Sequence, residues 1–391
     1  MSNALVSHSN DLFRLEQEGF DIEVLDANLL VHHVPYVTSD RERAFGVLVS
    51  ELSHNGTSTI TPGSHEIWFV GAIPCDHAGQ ELVIINQRVS HDFGSGVIAQ
   101  CSLSGKRNGE MPVDYYDKIT HYVGVLSQYA RAIDSEASAI THPARATTPD
   151  ESVFRYLDAA SSRAGISAVT AKLRLDRVAI VGLGGTGSYI LDLVSKTPVA
   201  EIHLYDDDVM YAHNAFRAPG AASLSELQAM PKKVDYLYEK YDPMHSNIVV
   251  HRVRVDDGNV AELKRMSFVF LAVDASPAKR TIVDSLAAAG VPFVDSGMGI
   301  RRTENSLSGI LRVTASSDGH RSHIGHRISF EDQDQDEYDW NIQTADLNML
   351  NAAMAVVKWK KLFGYYVDQK QEFNSAYTVG RNQMVSGDLT E

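Results

Sequence analysis

Cysteine is scarce in this chain, since Cys75 and Cys101 are the only two among 391 residues. A disulfide scaffold needs several pairs, so that class of protein is excluded and a reducing cytoplasm is the expected location. No cysteine follows position 101. The later part of the chain therefore has neither a thiol nucleophile nor a four-cysteine zinc site.

Positive charge is also in deficit, with 35 Lys and Arg against 50 Asp and Glu and a formal net charge of -15. Nucleic acids and anionic membrane surfaces bind basic surfaces, so neither is an expected partner. No apolar run approaches the ~20 residues that span a bilayer. The first residues lack the basic and apolar regions of a signal peptide, so we expect none. The length suits two domains of ordinary size.

Two domains and a linker are predicted from changes in the sequence pattern along the chain. Residues 1–135 mix strand-like and helical patterns, which predicts a smaller α+β domain that selects the partner or substrate. Residues 136–152 are small and polar and include two prolines, as is typical of a linker. From 153 to 391 strands alternate with helices, which predicts an α/β domain with a doubly wound, mostly parallel, Rossmann-like sheet.

The predicted elements follow from apolar periodicity. In the first domain we expect strands at 29–35, 67–70 and 82–85, and helices at 41–52 and 115–126. In the second we expect strands at 178–182, 201–205, 247–255, 268–273 and 292–295, and helices at 187–197, 224–240, 259–266 and 277–289. An antiparallel edge strand at 307–314, a long acidic loop at 315–343 and a helix at 344–362 complete the pattern. That helix is expected to bury Met349, Leu350, Met354 and Val357, and its apolar periodicity also includes Leu347 and Leu362.

A glycine-rich turn follows the first strand of the second domain. Residues 178–181 form a short apolar run, Val-Ala-Ile-Val, as expected for a strand buried on both faces. The next residues match G-x-G-x-x-G and open a helical pattern, the context in which this motif indicates a nucleotide site. Backbone N–H groups and the helix N-terminus favour phosphate there. The candidate binding residues are Gly182, Gly184, Gly185, Thr186 and Gly187.

Residues behind the turn narrow the choice of nucleotide. Asp206 and Asp208, with Asp207 as a solvated neighbour, end the second strand, where a Rossmann fold places the acid that binds a ribose hydroxyl. A group of polar and cationic residues follows: Asn214, Arg217, Lys232 and Lys233. A triphosphate needs such cations because charge builds on it as the α-phosphate is attacked, whereas hydride transfer does not. Adjacent residues point about 100° apart on a helix, so we expect at most one of the two lysines to reach the phosphates.

Asp274 ends the fourth strand of the second domain, in the sequence Leu-Ala-Val-Asp-Ala-Ser. The carboxyl end of a parallel strand is the edge at which this fold binds ligands. Carboxylate oxygen is the ligand type that Mg²⁺ prefers. Asp274 is therefore the predicted magnesium ligand, either directly or through water.

These motifs together resemble the ThiF/MoeB/E1 superfamily over residues 153–364. The shared set comprises Gly182-Leu-Gly-Gly-Thr-Gly187, the D-x-D of Asp206 and Asp208, Asn214-x-x-Arg217, a lysine in the next helix, and Asp274 with Arg280. The resemblance implies an E1/ThiF-type fold that adenylates the C-terminal carboxylate of a ubiquitin-like or sulfur-carrier-like protein or peptide with ATP and Mg²⁺. It also implies a homodimer.

The resemblance further implies roles for individual residues. The glycine turn and Asp206 would hold adenosine and phosphates, and Asp274 would place Mg²⁺. The triphosphate would be held by Asn214, Arg217 and either Lys232 or Lys233. Relatives have one arginine, shortly before the first strand, that reaches into the ATP site of the partner subunit, and both Arg155 and Arg163 are candidates for it.

The chain departs from this family where many relatives carry a thioester-forming cysteine. Adenylation without a thioester on this domain is open, as is transfer to Cys75 or Cys101. The alternative for these two cysteines is a structural role as small buried apolar residues, which is the common environment of free cysteine and the one we favour. His320, His323 and His326 occupy the corresponding region, either as metal ligands or as part of a solvated loop. Two other functions are open, a nucleotide-binding interaction module without turnover and an NAD-dependent oxidoreductase, because the glycine turn also fits the dinucleotide motif. The cationic residues favour ATP.

Overall fold

The computed structural model describes residues 5–6, 8–144, 146–147, 152–330 and 342–389. The chain divides into two compact units, residues 1–145 and 146–391. In the described part of the chain, none of the helices combines the length and the apolar character that crossing a bilayer requires.

The first unit is an antiparallel sheet packed against helices. Its strands are β1 Ile22–Leu25, β2 Asn28–Val37, β3 Arg43–Glu51, β4 Ile67–Val70, β5 Ile85–Asp92 and β6 Ile98–Leu103. They lie in the order β1-β2-β3-β4-β6-β5. Helix α1, Asn10–Glu18, and helix α2, Tyr115–Ile133, share one apolar core with the sheet. Helix α2 begins at Asp114, whose side chain accepts a hydrogen bond from the backbone N–H of Asp117.

The predicted helix at 41–52 is wrong, because this segment is strand β3. Leu48 and Val49 are adjacent and both fully buried. Successive side chains of a strand point to opposite faces, so both faces are covered here and the usual polar alternation is absent. The predictions at 29–35, 67–70 and 115–126 are confirmed, whereas of 82–85 only Ile85 belongs to a strand.

The second unit is built on an eight-stranded mixed sheet. Its strands are β7 Arg177–Val181, β8 Glu201–Tyr205, β9 Ile248–His251, β10 Phe268–Leu271, β11 Phe293–Thr303, β12 Ser306–Ser316, β13 Glu372–Thr378 and β14 Gln383–Leu389. The order is β14-β13-β12-β11-β10-β7-β8-β9. Strands β9, β8, β7, β10 and β11 are parallel, and the pairs from β11 to β14 are antiparallel.

The parallel part confirms the predicted doubly wound, mostly parallel sheet. The chain starts at β7, moves outward through β8 to β9, and then returns to the other side of β7 with β10 and β11. This is the Rossmann strand order, and its direction reverses between β7 and β10. One apolar cluster covers each face of the sheet. Ligands of such folds bind beyond the carboxyl ends of the strands at the point of reversal.

Nine helices are described in this unit: α3 Ala159–Arg163, α4 Ser167–Thr170, α5 Gly185–Val194, α6 Ala212–Ala215, α7 Leu224–Gln228, α8 Lys233–Tyr241, α9 Pro277–Ala289, α10 Ile324–Arg327 and α11 Ala345–Leu362. Helix α9 has the predicted bounds and begins at Ser276, whose Oγ accepts from the backbone N–H of Lys279. The predicted helix 224–240 is instead α7 and α8, interrupted where Met230 takes a φ of 47° before Pro231. Proline disfavours the helical conformation of the residue before it.

The C-terminal part of the sheet corrects two further predictions. Strand β12 is antiparallel, as predicted, but β13 and β14 lie outside it, so it is not the edge. The segment predicted as a loop at 315–343 contains helix α10, and its acidic residues 331–337 lie outside the described residues.

The last helix buries a different face from the predicted one. Met349 and Val357, both predicted as core residues, are 53% and 42% exposed, and Leu347, Leu350, Met354 and Leu362 are half-buried. The buried residues are Asn348, Asn351, Ala352, Ala355, Val356, Lys358 and Trp359. Helix α11 packs on α5, β11 and β12. The small alanine and amide side chains allow the backbones to approach, which apolar periodicity alone does not reveal.

Candidate functional site

The glycine turn joins strand β7 to helix α5 in a tight bend. Gly182 has a φ of 86°, a conformation that favours glycine, and its N–H donates to Tyr205 O at 2.9 Å. A Cβ at Gly187 would overlap Gly182 O. Gly184 is the N-cap of α5, and a Cβ added there would meet no atom within 4 Å. The first N–H groups of α5 lack intrahelical acceptors, so this open N-terminus suits an anion.

Asp206 fastens the turn to the end of strand β8. Its Oδ2 accepts from the Leu183 N–H at 2.7 Å and its Oδ1 from the Asp208 N–H at 2.8 Å. The Asp206 side chain is 8% exposed, against 45% for Asp207 and 55% for Asp208. Oxygen atoms of the three carboxylates lie within 4.8 Å of one another. Negative charge is therefore concentrated beside the glycine turn.

Two lysines compensate that charge. Lys233 Nζ lies 2.6 Å from Asp208 Oδ2 and 3.9 Å from Asp206 Oδ1, and its side chain is only 7% exposed. The hydrogen bond from Lys233 lowers the pKa of Asp208. Lys232 Nζ donates to Asp207 O. Lys232 is the N-cap of α8 and lies outside the helix proper, so the angular separation expected of adjacent helical residues does not apply and both ammonium groups reach the acidic run.

Asn214 and Arg217 lie on and just after the short helix α6. Asn214 is buried, and its Oδ1 accepts from the Tyr211 N–H at 2.9 Å, so it stabilises the start of α6. Arg217 Nε is buried and finds no hydrogen-bond partner among the described residues. A buried guanidinium nitrogen of this kind fits an anionic ligand group.

Asp274 is exposed beyond the end of strand β10. Because β7, β8 and β10 are parallel, their carboxyl ends share one edge. The glycine turn, the acidic run at 206–208 and Asp274 therefore come together at the point where the strand order reverses. This juxtaposition is the one predicted from the sequence.

A buried ion pair beneath Asp274 was not predicted. Lys279 Nζ lies 2.6 Å from Asp295 Oδ1, with side chains 3% and 0% exposed. The same ammonium group donates to Val273 O at 3.2 Å, next to Asp274. The pair therefore links α9 and β11 to the loop that carries Asp274. The sequence offered two signals for this pair, namely a lysine in the first turn of a predicted helix and an aspartate at the end of a predicted apolar strand.

The hydroxyl of Thr186 points to the C-terminal helix. Its Oγ1 donates to Asn348 Oδ1 at 2.8 Å. Asn348 is fully buried and was also missed by sequence reasoning. An asparagine in the apolar pattern of the last predicted helix was the signal that could have found it.

The two candidate arginines lie near the start of the second unit. Arg155 Nη2 lies 2.8 Å from Asp242 Oδ1, and Nε donates to Asp242 O. Asp242 follows the C-terminus of α8, whereas Lys233 begins it, so the two ends are about 13 Å apart. Arg155 is thus held away from Lys233 of the same chain. Arg163 ends α3, and its side chain lies outside the described residues.

The two cysteines of the first unit are both buried. Burial raises the pKa of both thiols, and that of Cys101 reaches about 11. A thiol acceptor reacts as the thiolate and must be accessible. Neither cysteine meets these conditions.

His320, His323 and His326 do not form a group of potential metal ligands. His323 is buried with Nε2 2.8 Å from Ala315 O, and both His320 and His323 pack on the ring of Phe373. Within the described ranges, Asp206, Asp207 and Asp208 are the only group of three or more potential ligands that could hold a metal ion.

Two family models match the chain. The ThiF family model matches residues 159–315, which include the glycine turn, the acidic run and Asp274. A domain of unknown function, DUF6791, matches residues 10–159. The ThiF match ends before β13 and α11.

Curated relatives include ubiquitin-like modifier-activating enzyme 5 from several animals. The enzyme of Aedes aegypti is 25% identical over 170 residues, which are 41% of this chain and 42% of the relative. The enzyme of Gallus gallus is 27% identical over 165 residues, 39% of this chain and 41% of the relative. The chain thus matches about two fifths of the length of these relatives.

Solved structures with a similar fold include E. coli MccB in complex with MccA-N7isoASN. It has a TM-score of 0.46 and 14% identity and covers 59% of this chain and 69% of its own. PaaA has a TM-score of 0.43 and 17% identity, covering 56% of this chain and 75% of its own. E. coli MccB has also been solved with ATP.

Proposed function

We propose, from the premise that residues 159–315 are a ThiF-family domain, that the chain is an ATP-dependent adenylyltransferase. Its substrate would be the C-terminal carboxylate of a ubiquitin-like or sulfur-carrier-like protein or peptide. The N-terminal unit would select that partner. We expect a cytoplasmic homodimer, in which Arg155 or Arg163 enters the ATP site of the other subunit.

One observation carries this proposal, the combination of an open helix N-terminus with cationic side chains at the reversal point of the sheet. Gly184 borders open space, Lys233 is buried at the acidic run, and Arg217 Nε is a buried donor that has no hydrogen-bond partner in the described part of the chain. A nicotinamide dinucleotide needs the glycine turn but not these cations. A triphosphate undergoing attack uses both.

The chain's residues would act mainly by positioning and charge. The N–H groups of Gly185, Thr186 and Gly187 would bind phosphate oxygens, and Asp206 would accept from a ribose hydroxyl. The carboxylate oxygen of the substrate would form a bond to the α-phosphorus, while the bond to the bridging oxygen breaks and pyrophosphate leaves. Such a step needs no protein nucleophile.

The residues that would carry charge are the same ones that sequence reasoning selected. Arg217 and either Lys232 or Lys233 would neutralise the departing pyrophosphate, with Asn214 supporting them through α6. Asp274 would hold Mg²⁺, which supplies further positive charge when bound. A later thioester on this domain is excluded by its lack of cysteine.

ATP–pyrophosphate exchange tests the proposal. Purified protein is mixed with MgATP and a panel of ubiquitin-like proteins and synthetic peptides that end in Gly-Gly. We expect exchange that requires Mg²⁺ and one member of the panel, and a loss of at least about 100-fold for Asp274→Ala. Asp284→Ala, an exposed acid on α9, is the matched control and should be unchanged. Equal rates for wild type and Asp274→Ala would refute the assignment.

A nucleotide-binding module without turnover is the second candidate. It is favoured by the ion pair of Lys233 with Asp208, since that cation is already partly neutralised. Calorimetry with MgATP separates the two functions. Binding of ATP without pyrophosphate release over the whole panel would favour the module, and binding of NADH instead of ATP would favour an oxidoreductase.

A further inference from the structure

The phosphate-binding turn is in contact with a helix far away in the sequence. Thr186 Oγ1 donates to Asn348 Oδ1 at 2.8 Å across 162 positions. Asn348 Nδ2 donates to Thr344 O at 3.0 Å. The amide is fully buried and both of its ends are satisfied, so its orientation is fixed.

The contact between the two helices is also steric. A Cβ at Gly185 would overlap the side-chain amide of Asn348. Gly185 is the residue that exceeds the G-x-G-x-x-G motif, and this close approach gives it a reason. Asn348 therefore forms one wall of the turn and also accepts the hydrogen bond from the Thr186 hydroxyl.

A second asparagine fixes helix α11 to the sheet. Asn351 Nδ2 donates to Gly297 O of β11 at 3.2 Å, and Asn351 is fully buried. Residues three apart lie on one face of a helix, so Asn348 and Asn351 lie on the same face of α11. The position of Asn348 relative to strand β7 is therefore determined by the packing of α11 on the sheet.

We propose that Asn348 is a positioning residue for the nucleotide site, through which helix α11 sets the conformation of the turn at 182–187. It touches no reacting atom and acts through Thr186 and Gly185. The inference rests on the proposed function only where it concerns ATP. Through Asn348, the conformation of the turn depends on helix α11, which lies outside residues 159–315, the segment that matches the ThiF family model.

Hydrogen exchange of the nucleotide-free, full-length protein tests the positioning directly. We expect Asn348→Ala to increase amide exchange in the peptide covering 182–188 by roughly 3- to 30-fold, because a buried donor loses its acceptor. Met349→Ala is the matched control, since Met349 is the next residue of the helix and is 53% exposed. Unchanged exchange in 182–188 for Asn348→Ala would overturn the proposal.

Thr186→Val removes the same hydrogen bond from the side of the turn and provides a second variant if Asn348→Ala folds poorly. It should reproduce the increase in exchange, and Thr186→Ser, which retains the hydroxyl, should restore the wild-type rate. A purely structural role for Asn348 within α11 predicts no effect of Thr186→Val, and that result would also overturn the proposal.

A pair of substitutions tests the steric contact between Gly185 and the side chain of Asn348. Gly185→Ala should raise exchange in the turn strongly, and adding Asn348→Ala should reduce the effect, because the overlapping atoms are gone. If the effects of the two substitutions on exchange in the turn are additive, the proposed contact is wrong. Calorimetry with MgATP then gives the functional readout, with the dissociation constant for Asn348→Ala raised roughly 3- to 30-fold and the maximal exchange rate with pyrophosphate nearly unchanged.

The two proposals fail in different ways. If wild-type protein binds no MgATP, the adenylyltransferase assignment fails while hydrogen exchange still decides the role of Asn348. If MgATP binds and pyrophosphate exchanges but Asn348→Ala and Thr186→Val leave the turn unaltered, only the positioning role fails.

Discussion

The N-terminal unit buries a lysine beside a hydroxyl, whereas the second unit buries its lysines beside carboxylates. Lys118 is 3% exposed, and its Nζ donates to Ser50 Oγ at 2.9 Å. Burial lowers the pKa of Lys118 to about 8. Lys279 is equally enclosed but has Asp295 at 2.6 Å, and Lys233 has Asp208 at the same distance.

The difference separates two ways of placing charge in a protein interior. A buried cation without a counter-ion is disfavoured, whereas a carboxylate in direct contact compensates its charge. The second unit therefore pairs buried ammonium groups with carboxylates near the edge of the sheet where we expect a polyanionic ligand.

The largest expected effect is the loss of stability when the buried ion pair of Lys279 and Asp295 is broken. Asp295→Ala leaves Lys279 buried without a counter-charge and should destabilise the second unit by about 3–5 kcal/mol. The free energy of opening β10 and β11, measured by hydrogen exchange, gives the magnitude. The double variant Lys279→Met with Asp295→Leu should recover most of the loss, and a double variant as unstable as Asp295→Ala would show that charge is not the cause.

An intermediate effect is expected on turnover. Lys233→Met removes the cation beside Asp208 and leaves the acidic run facing the phosphates, so ATP–pyrophosphate exchange should fall by about 100-fold, or roughly 2.7 kcal/mol. Lys264→Met is the control, because Lys264 is exposed on the 3₁₀ turn before β10. Equal losses for both variants would point to net charge instead of position.

The smallest expected effect is a pH dependence of the stability of the N-terminal unit that arises from Lys118. The unfolded chain keeps the lysine proton up to its ordinary pKa of 10.5, whereas the folded unit releases it near pH 8. Between pH 8 and pH 10 the unfolded state therefore binds more protons, and the contribution of Lys118 to stability should become more favourable by roughly 2 kcal/mol, whereas well below pH 8 its penalty is constant. Hydrogen exchange of α2 across this range measures it.

Two variants sharpen that test. Lys118→Met should abolish the rise, while Lys106→Met, an exposed lysine, should keep it. Burial raises the pKa of Cys75, Cys101 and Tyr122, which opposes the rise within the same range, so the contribution of Lys118 is taken as the difference between the wild type and Lys118→Met. A rise that persists in Lys118→Met would assign it to another group.

Contacts between distant residues escaped sequence reasoning for a physical reason. Thr186 and Asn348 are 162 positions apart, and no local pattern relates them. The partners Lys279 and Asp295 lie on different elements, and each taken alone resembles an ordinary surface residue at an element end. The helix predicted at 41–52 failed because a strand covered on both faces has no alternation to detect.

The sequence by itself determined the turn at 182–187, the acid after β8 and the aspartate after β10. Each belongs to one strand and the residues directly behind it, and parallel strands in a doubly wound order bring their carboxyl ends to one edge. Only the tertiary structure decided that Lys232 and Lys233 both reach the acidic run and that Asn348 forms the wall of the turn. These depend on how helices pack across the sheet, and close packing of backbones is determined by shape over long separations in sequence.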